Sequence, residues 1–178
     1  AERLLHILGA LEEGHGAESY GSDLTPVGRQ MLRLPMHPRF ARLLVEASRR
    51  GCVPAACLCA ALVSGRDLLM RVNREDPSSA DARELFEGST QSDFHTLLRA
   101  HQYARNAHFS LEACRRHGIH AQTARQVEDT FQQLVRIAER EKMVTRDSGA
   151  APAEVGDEGL LKSLCAGFVD QVCVRKDS

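Results

Sequence analysis

At 178 residues the chain can bury a core of its own in one or two small domains, and its 43% apolar and 26% charged residues match an ordinary soluble globular protein. The 23 Lys and Arg nearly balance the 24 Asp and Glu, giving a formal net charge of -1. That excludes a global electrostatic pull on nucleic acid and leaves such work to a local patch. No apolar run reaches membrane-spanning length, and the apolar start from Leu4 to Leu11 lacks the cleavage pattern of a signal peptide. The six cysteines (52, 57, 59, 114, 165, 173) form no CxxC pair, so they read as small hydrophobes of a reduced, cytoplasmic protein. Residue 1 already stands inside a helical pattern and is not Met, which leads us to expect a piece of a longer protein.

Leu4, Leu5, Leu8 and Leu11 predict an amphipathic helix that ends in the turn-forming stretch between Gly9 and Gly16. Ser19 to Leu24 reads as a short strand or wing. Thr25-Pro26 then starts a helix with Thr as N-cap and Pro at the first helical position. His37-Pro38 starts the next, with Phe40, Leu43, Leu44 and Ala47 facing inward and Gly51 as its stop. Val53-Pro54 begins a third, apolar on nearly every face from Ala55 to Val63, as a central helix is.

Residues 71 to 90 read as a surface loop with one short helix at Ala82 to Phe86. A helix from Thr90 to His108 follows, opened by a Thr-x-x-Asp box and burying Phe94, Leu97, Leu98 and Tyr103. Ser110 caps a short helix that Gly118 closes. The longest and most regular helix runs to Glu141, with Ala124, Val127, Phe131, Leu134 and Ala138 in one stripe. Its first turns differ: His120, Gln122, Thr123, Arg125 and Gln126 are polar, with no carboxylate before Glu128. Thr145 to Gly159 reads as a flexible connection, Leu160 to Phe168 as a last helix, and Val169 to Val174 alternates like a strand.

Enzymatic motifs are scarce. There is no GxxxxGK[ST] loop and no GxGxxG turn, and Ser64 lacks the GxSxG elbow. His95 with His101, and His117 with His120, lack the spacing and the cysteine partners of a metal site, so no metal is expected. Arg33, Arg39, Arg42, Arg49 and Arg50 lie on the first two Pro-started helices. They read either as a solvated face or as a surface for phosphates or an acidic partner. The polar start of the long helix has the same two readings, because helix N-termini offer free N–H groups to phosphate.

Two segments carry a family resemblance. Leu24-Thr25-Pro26-Val27-Gly28-Arg29-Gln30-Met31, followed by Leu34-Pro35-Met36-His37-Pro38-Arg39-Phe40-Ala41-Arg42-Leu43-Leu44, resembles the end of the winged helix and the start of the ratchet domain of DEAH-box helicases. Ala104-Arg105-Asn106 through Glu128 is similar to later ratchet helices of the bacterial HrpB-like branch. Ala166-Gly167-Phe168-Val169-Asp170-Gln171-Val172 resembles the lead-in to a C-terminal oligonucleotide-binding (OB) fold.

The resemblance implies a mainly α chain. Residues 1–50 would end a winged helix, 51–145 form a helical-bundle ratchet domain, 146–159 a flexible connection, and 160–178 a last helix with the truncated start of an OB-like β segment. The motor domains are missing, so ATP and Mg are expected only there, and this piece is expected to have no catalytic residue and no small-molecule substrate. By resemblance, Asn106, His120, Gln122, Thr123 and Arg125 would contact single-stranded RNA, or DNA, while Arg33, Arg39 and Arg42 would dock the RecA-like motor domains. The alternative is a protein-interaction module without nucleic-acid contact, which the near-neutral charge favours. An independent enzyme is the third and weakest choice.

Overall fold

The computed structural model describes residues 2–13, 22–70, 85–86, 93–143 and 157–172. These form α1 (Glu2–Ile7), β1 (Leu11–Glu13), β2 (Ser22–Leu24), α2 (Pro26–Leu32), α3 (Pro38–Arg50), α4 (Val53–Ser64), α5 (Asp93–Asn106), α6 (Leu111–Arg116), α7 (Ala121–Arg140), α8 (Asp157–Gly167) and a 3-10 turn at Val169–Gln171. The architecture is mainly helical with one small antiparallel sheet, as a winged helix followed by a helical ratchet requires. Among the described residues, no helix is long and apolar enough to cross a membrane.

Two compact units result. Unit one gathers the described residues of Ala1–Ala56, Ile137–Gly149 and Val155–Ser178, and unit two those of Cys57–Arg136.

Unit one begins with a helix shorter than its leucine pattern suggests. Gly9 takes a left-handed φ of 68°. Its N–H donates to the His6 carbonyl and that of Ala10 to the Leu5 carbonyl, a Schellman stop. Leu11 therefore opens β1 instead of extending α1, and pairs with Leu24 of β2. The Thr25 hydroxyl then joins strand and helix: it accepts from the Gly28 N–H (2.9 Å) and donates to the Gly9 carbonyl (2.6 Å). An N-cap of this kind contributes about 1 kcal/mol. Gly28 is required by closeness, since a Cβ there would lie 2.1 Å from the Ala10 carbonyl oxygen.

The core of unit one is α3. Leu43 and Leu44 are fully buried between flanking Ala41, Val45 and Ala47, worth about 1.5–3 kcal/mol for each leucine. Phe40, expected inside, is only half-buried; it meets Phe168 at a ring separation of 6.4 Å. Helix α8 returns antiparallel along α3, with Gly159 beside Arg50 and Gly167 against the Arg39 carbonyl and Leu43. Ser163, fully buried in that contact, donates to the Gly159 carbonyl (2.8 Å) and lies 3.5 Å from Cys52 Sγ.

The strand expected at Val169 to Val174 does not form over its described part. Val169–Gln171 is a single 3-10 turn, with Gln171 N–H donating to the Phe168 carbonyl (2.8 Å). Curling the chain here delivers the Asp170 carboxylate to Arg39, which an extended segment would carry past it. Cys173 and Val174 lie outside the described residues, as do the wing residues 14–21, most of the 71–90 loop with its expected helix, the Thr90 box and most of the 145–159 connection.

In unit two, α4 is buried from Cys57 to Leu62, as its uniform apolarity predicts. Burial pushes the Cys57 thiol up to about 12, so it behaves as a hydrophobe. Among the described cysteines none is in a disulfide. Helix α7 buries Ala121, Thr123, Ala124, Val127, Phe131 and Leu134 on one stripe. Its approach is fixed by an antiparallel bridge between Leu69 and Ile119, with His120 N–H donating to the Leu68 carbonyl (2.9 Å) and Met70 N–H to the Gly118 carbonyl (2.7 Å).

Candidate nucleic-acid interface

The start of α7 is set apart by what it lacks. The His120 carbonyl accepts the first helical bond, from Ala124 N–H (2.9 Å), and no acidic residue lies in the first turn. A helix N-terminus carries partial positive charge. Around it His120, Gln122, Arg125 and Gln126 are exposed. Thr123 is different: at 8% exposure it belongs to the buried stripe beside Ala124.

Arg125 does double work. Its Nη2 donates to the Phe109 carbonyl (3.0 Å) while the residue stays exposed. Phe109 and His108 both hold positive φ, 54° and 50°, a conformation costly for side chains of this size. The turn that joins α5 to α6 is thus clamped by the same guanidinium that faces solvent at α7. Asn106, exposed at the end of α5 three residues earlier, accepts through Oδ1 from Gln102 Nε2 (2.9 Å). The structure therefore brings Asn106, the 107–110 turn and Arg125 to one corner of unit two.

Beneath that corner lies a network that the sequence did not disclose. Glu128, the first carboxylate of α7, accepts from Gln132 (2.8 Å) and lies 3.4 Å from His101 Nε2 and 3.8 Å from Arg105 Nε of α5. Burial lowers the basicity of His101, and Glu128 restores only part of it against the opposing Arg105 charge, so the imidazole is neutral in the fold. Nearby, Tyr103 and His117 pack edge to face at 4.5 Å, with Phe86 5.8 Å from Tyr103. His117, paired with His120 in sequence, is thus an aromatic packing residue. Among the described residues, no group of three or more His, Cys, Asp or Glu is placed to hold a metal ion.

The arginines of unit one are disposed otherwise. Arg39 grips both carboxylate oxygens of Asp170, the Nη2 contact at 2.7 Å, and also faces the Gly167 carbonyl and the Phe168 ring. The hydrogen bond to Asp170 raises the Arg39 pKa and holds the Asp170 carboxyl below its usual range. Arg42 donates to the Leu8 carbonyl (3.2 Å) and to Glu46 (3.1 Å). Burial alone would raise the Glu46 pKa, but hydrogen bonds from Arg42 and Arg50 hold it below the usual value. Of Arg33, Arg39 and Arg42, Arg33 alone extends into solvent, its side chain 66% exposed and tethered to Glu141 at 2.8 Å.

The chain is similar to helicase-associated domains. Residues 1–36 match the helicase associated domain (HA2), winged-helix, and residues 37–129 match the helicase associated domain (HA2), ratchet-like. The chain is 29% identical over 152 residues to the pre-mRNA-splicing factor ATP-dependent RNA helicase prp22 of Schizosaccharomyces pombe, which covers 85% of this chain and 12% of that protein. It is 30% identical over 141 residues to the ATP-dependent RNA helicase HrpA of Escherichia coli (76% and 11%). With the DExH-box ATP-dependent RNA helicase DExH3 of Arabidopsis thaliana it shares 26% identity over 178 residues (97% and 14%). The chain thus spans between a tenth and a seventh of these relatives, which come from a fungus, a bacterium and a plant and do not single out the HrpB-like branch. The winged-helix match ends at Met36 and the ratchet match begins at His37, where the second Pro-started helix opens, and on this evidence the chain belongs to the helicase-associated HA2 family of DEAH-box RNA helicases.

Proposed function

We propose that the chain is a non-catalytic accessory module of an ATP-dependent DEAH-box RNA helicase, guiding single-stranded RNA past the start of α7 while RecA-like motor domains hydrolyse ATP with Mg. The observation that carries this reading is the acid-free helix start, where exposed His120, Gln122 and Arg125 surround the N-terminus and Asn106 stands at the same corner. Such donors read phosphate and sugar, not base sequence, so contact is sequence-tolerant and salt-sensitive. Thr123 supports the surface from beneath. Docking on the motor domains falls to Arg33; Arg39 and Arg42, internally bonded, shape the α3 surface on which docking occurs.

The test is the double substitution His120→Ala/Gln122→Ala in the complete helicase. Both residues are exposed, so folding is expected to hold within about 0.5 kcal/mol. RNA-stimulated ATPase and unwinding are expected to fall about tenfold at moderate salt, the equivalent of two modest polar contacts. Undiminished stimulation and unwinding would remove the strand-contact reading and leave the protein-interaction module in its place.

A further inference from the structure

Unit one carries an open pocket of about 280 Å³ where α2, α3 and the end of α7 meet. Leu34 and Val45, 4% and 1% exposed, close its bottom, and Met143 supplies an accessible apolar wall. Three cations stand at the opening, Arg33, Arg49 and Lys142, against the single carboxylate of Glu141. Arg33 is matched by Glu141 at 2.8 Å. Arg49 is not matched in the same way: it is 3.9 Å from Glu46, whose oxygens are already taken by Arg42 at 3.1 Å and Arg50 at 2.6 Å. Its side chain remains 52% exposed. Lys142 is also exposed, held in place by a left-handed turn (φ 57°) in which its N–H donates to the Glu139 carbonyl and that of Met143 to the Ala138 carbonyl.

We propose that this pocket receives a short acidic segment of a separate partner protein, two carboxylates meeting Arg49 and Lys142 and one aliphatic side chain covering Met143. Shape, charge and lining each support that occupant. A pocket of this volume takes one or two side chains, whereas a docked domain covers a broad face of about 800 Å² on each partner. The lining carries three positive charges and one negative, so it holds a net surplus of two, suited to paired carboxylates. It contains no aromatic ring, so it lacks the stacking platform that a nucleobase uses, and its cations form a compact cluster where a nucleic-acid backbone needs a track.

Fluorescence anisotropy with a labelled peptide repeating Asp-Leu-Glu, and separately with a labelled oligouridylate, tests the assignment. The chain is expected to bind the peptide saturably, and Arg49→Gln/Lys142→Gln to weaken it about tenfold, while Arg49→Lys retains most of the affinity. Oligouridylate binding is expected to be the same in all three proteins, because the proposed strand contact lies on unit two. A peptide bearing Ser for Leu is expected to bind more weakly, reading out the Met143 contact. Three results would overturn the proposal: no peptide binding by the unaltered chain, equal peptide affinity in the doubly substituted protein, or loss of oligouridylate binding in its place. Matching circular-dichroism melts establish that the substituted chains fold, and if the double variant does not, the single Arg49→Gln chain decides the outcome, since unchanged peptide affinity in it overturns the proposal.

Discussion

Along α3, Arg39 and Arg42 turn to a carboxylate and a backbone carbonyl within unit one, and their side chains are only 15% and 17% exposed. At the start of α7, His120, Gln122 and Arg125 remain in solvent although the same helix buries Ala124, Val127 and Phe131. Both stretches are polar residues on an amphipathic helix. What separates them is whether an acceptor lies within reach: Asp170, the Leu8 carbonyl and Glu46 surround the arginines of α3, whereas among the described residues Arg125 meets a single carbonyl and its neighbours meet none that would withdraw them from water. A basic helix face therefore marks a binding surface only after internal acceptors have been counted.

The sharpest way to break unit one is through Gly28. An Ala side chain there would stand 2.1 Å from the Ala10 carbonyl oxygen, which no rotamer relieves because the obstacle is backbone. Gly28→Ala is expected to cost about 3 kcal/mol by urea unfolding, through displacement of α2 from the strand that Thr25 ties to it. Gly65→Ala, with no atom within 4 Å of the added carbon, is the control and is expected to stay within about 0.5 kcal/mol. Equal losses at the two positions would mean that the α2 contact is looser than it is drawn.

A smaller effect separates the arginines themselves. Asp170→Asn weakens the paired contact with Arg39 and is expected to raise amide exchange in α8 while leaving α7 unchanged. The pH dependence has a defined sign. Because Arg39 holds the Asp170 pKa below its ordinary 3.8, the contact supports the fold above that value and is lost as pH falls through the lower folded value. Protection of α8 in the unaltered chain is thus expected to fail only in strong acid. If Asp170→Asn leaves α8 exchange as it was, Arg39 is not what anchors that helix, and it returns to the docking surface as a free cation.

Much of this organisation was legible in local chemistry. Thr25-Pro26 and His37-Pro38 start helices because a side-chain acceptor followed by a fixed φ is a local device, and the α7 stripe follows from a 3.6-residue period. Non-local consequences were not legible. The leucine spacing counted Leu11 with the first helix although the turn stretch begins at Gly9, since periodicity does not see a left-handed stop. The alternation at Val169 to Val174 resembled a strand because nothing nearby in sequence announces that Asp170 belongs to Arg39, 131 residues away. At the candidate site, exposure of His120, Gln122 and Arg125 agreed with the polar reading, but burial of Thr123 did not, because a small polar residue next to Ala124 falls on the apolar stripe without betraying it by type. The Glu128 cluster was invisible for the same reason as Asp170: its partners lie on another helix.

That cluster is where unit two departs from its own pattern, since His101 is a polar side chain taken fully inside, at 1% exposure. Burial depresses its pKa more than Glu128 raises it, so the folded protein holds this imidazole neutral at a pH where the unfolded chain, near 6.5, is already taking a proton. Stability from this group is accordingly complete above about pH 6.5 and declines as pH falls toward the lower folded value, by at most about 1.4 kcal/mol per pH unit for one proton. His101→Gln keeps a polar side chain at the site without an imidazole, and is expected to flatten urea-unfolding stability between pH 7 and pH 5 whatever it does to the absolute value. The acid sensitivity of unit two would then belong to one buried residue beneath the candidate interface, whereas that of unit one begins only where its paired carboxylates, Glu46 and Asp170, are protonated. An unchanged slope in His101→Gln would mean that His101 is not the group that carries the pH dependence and would erase that distinction between the units.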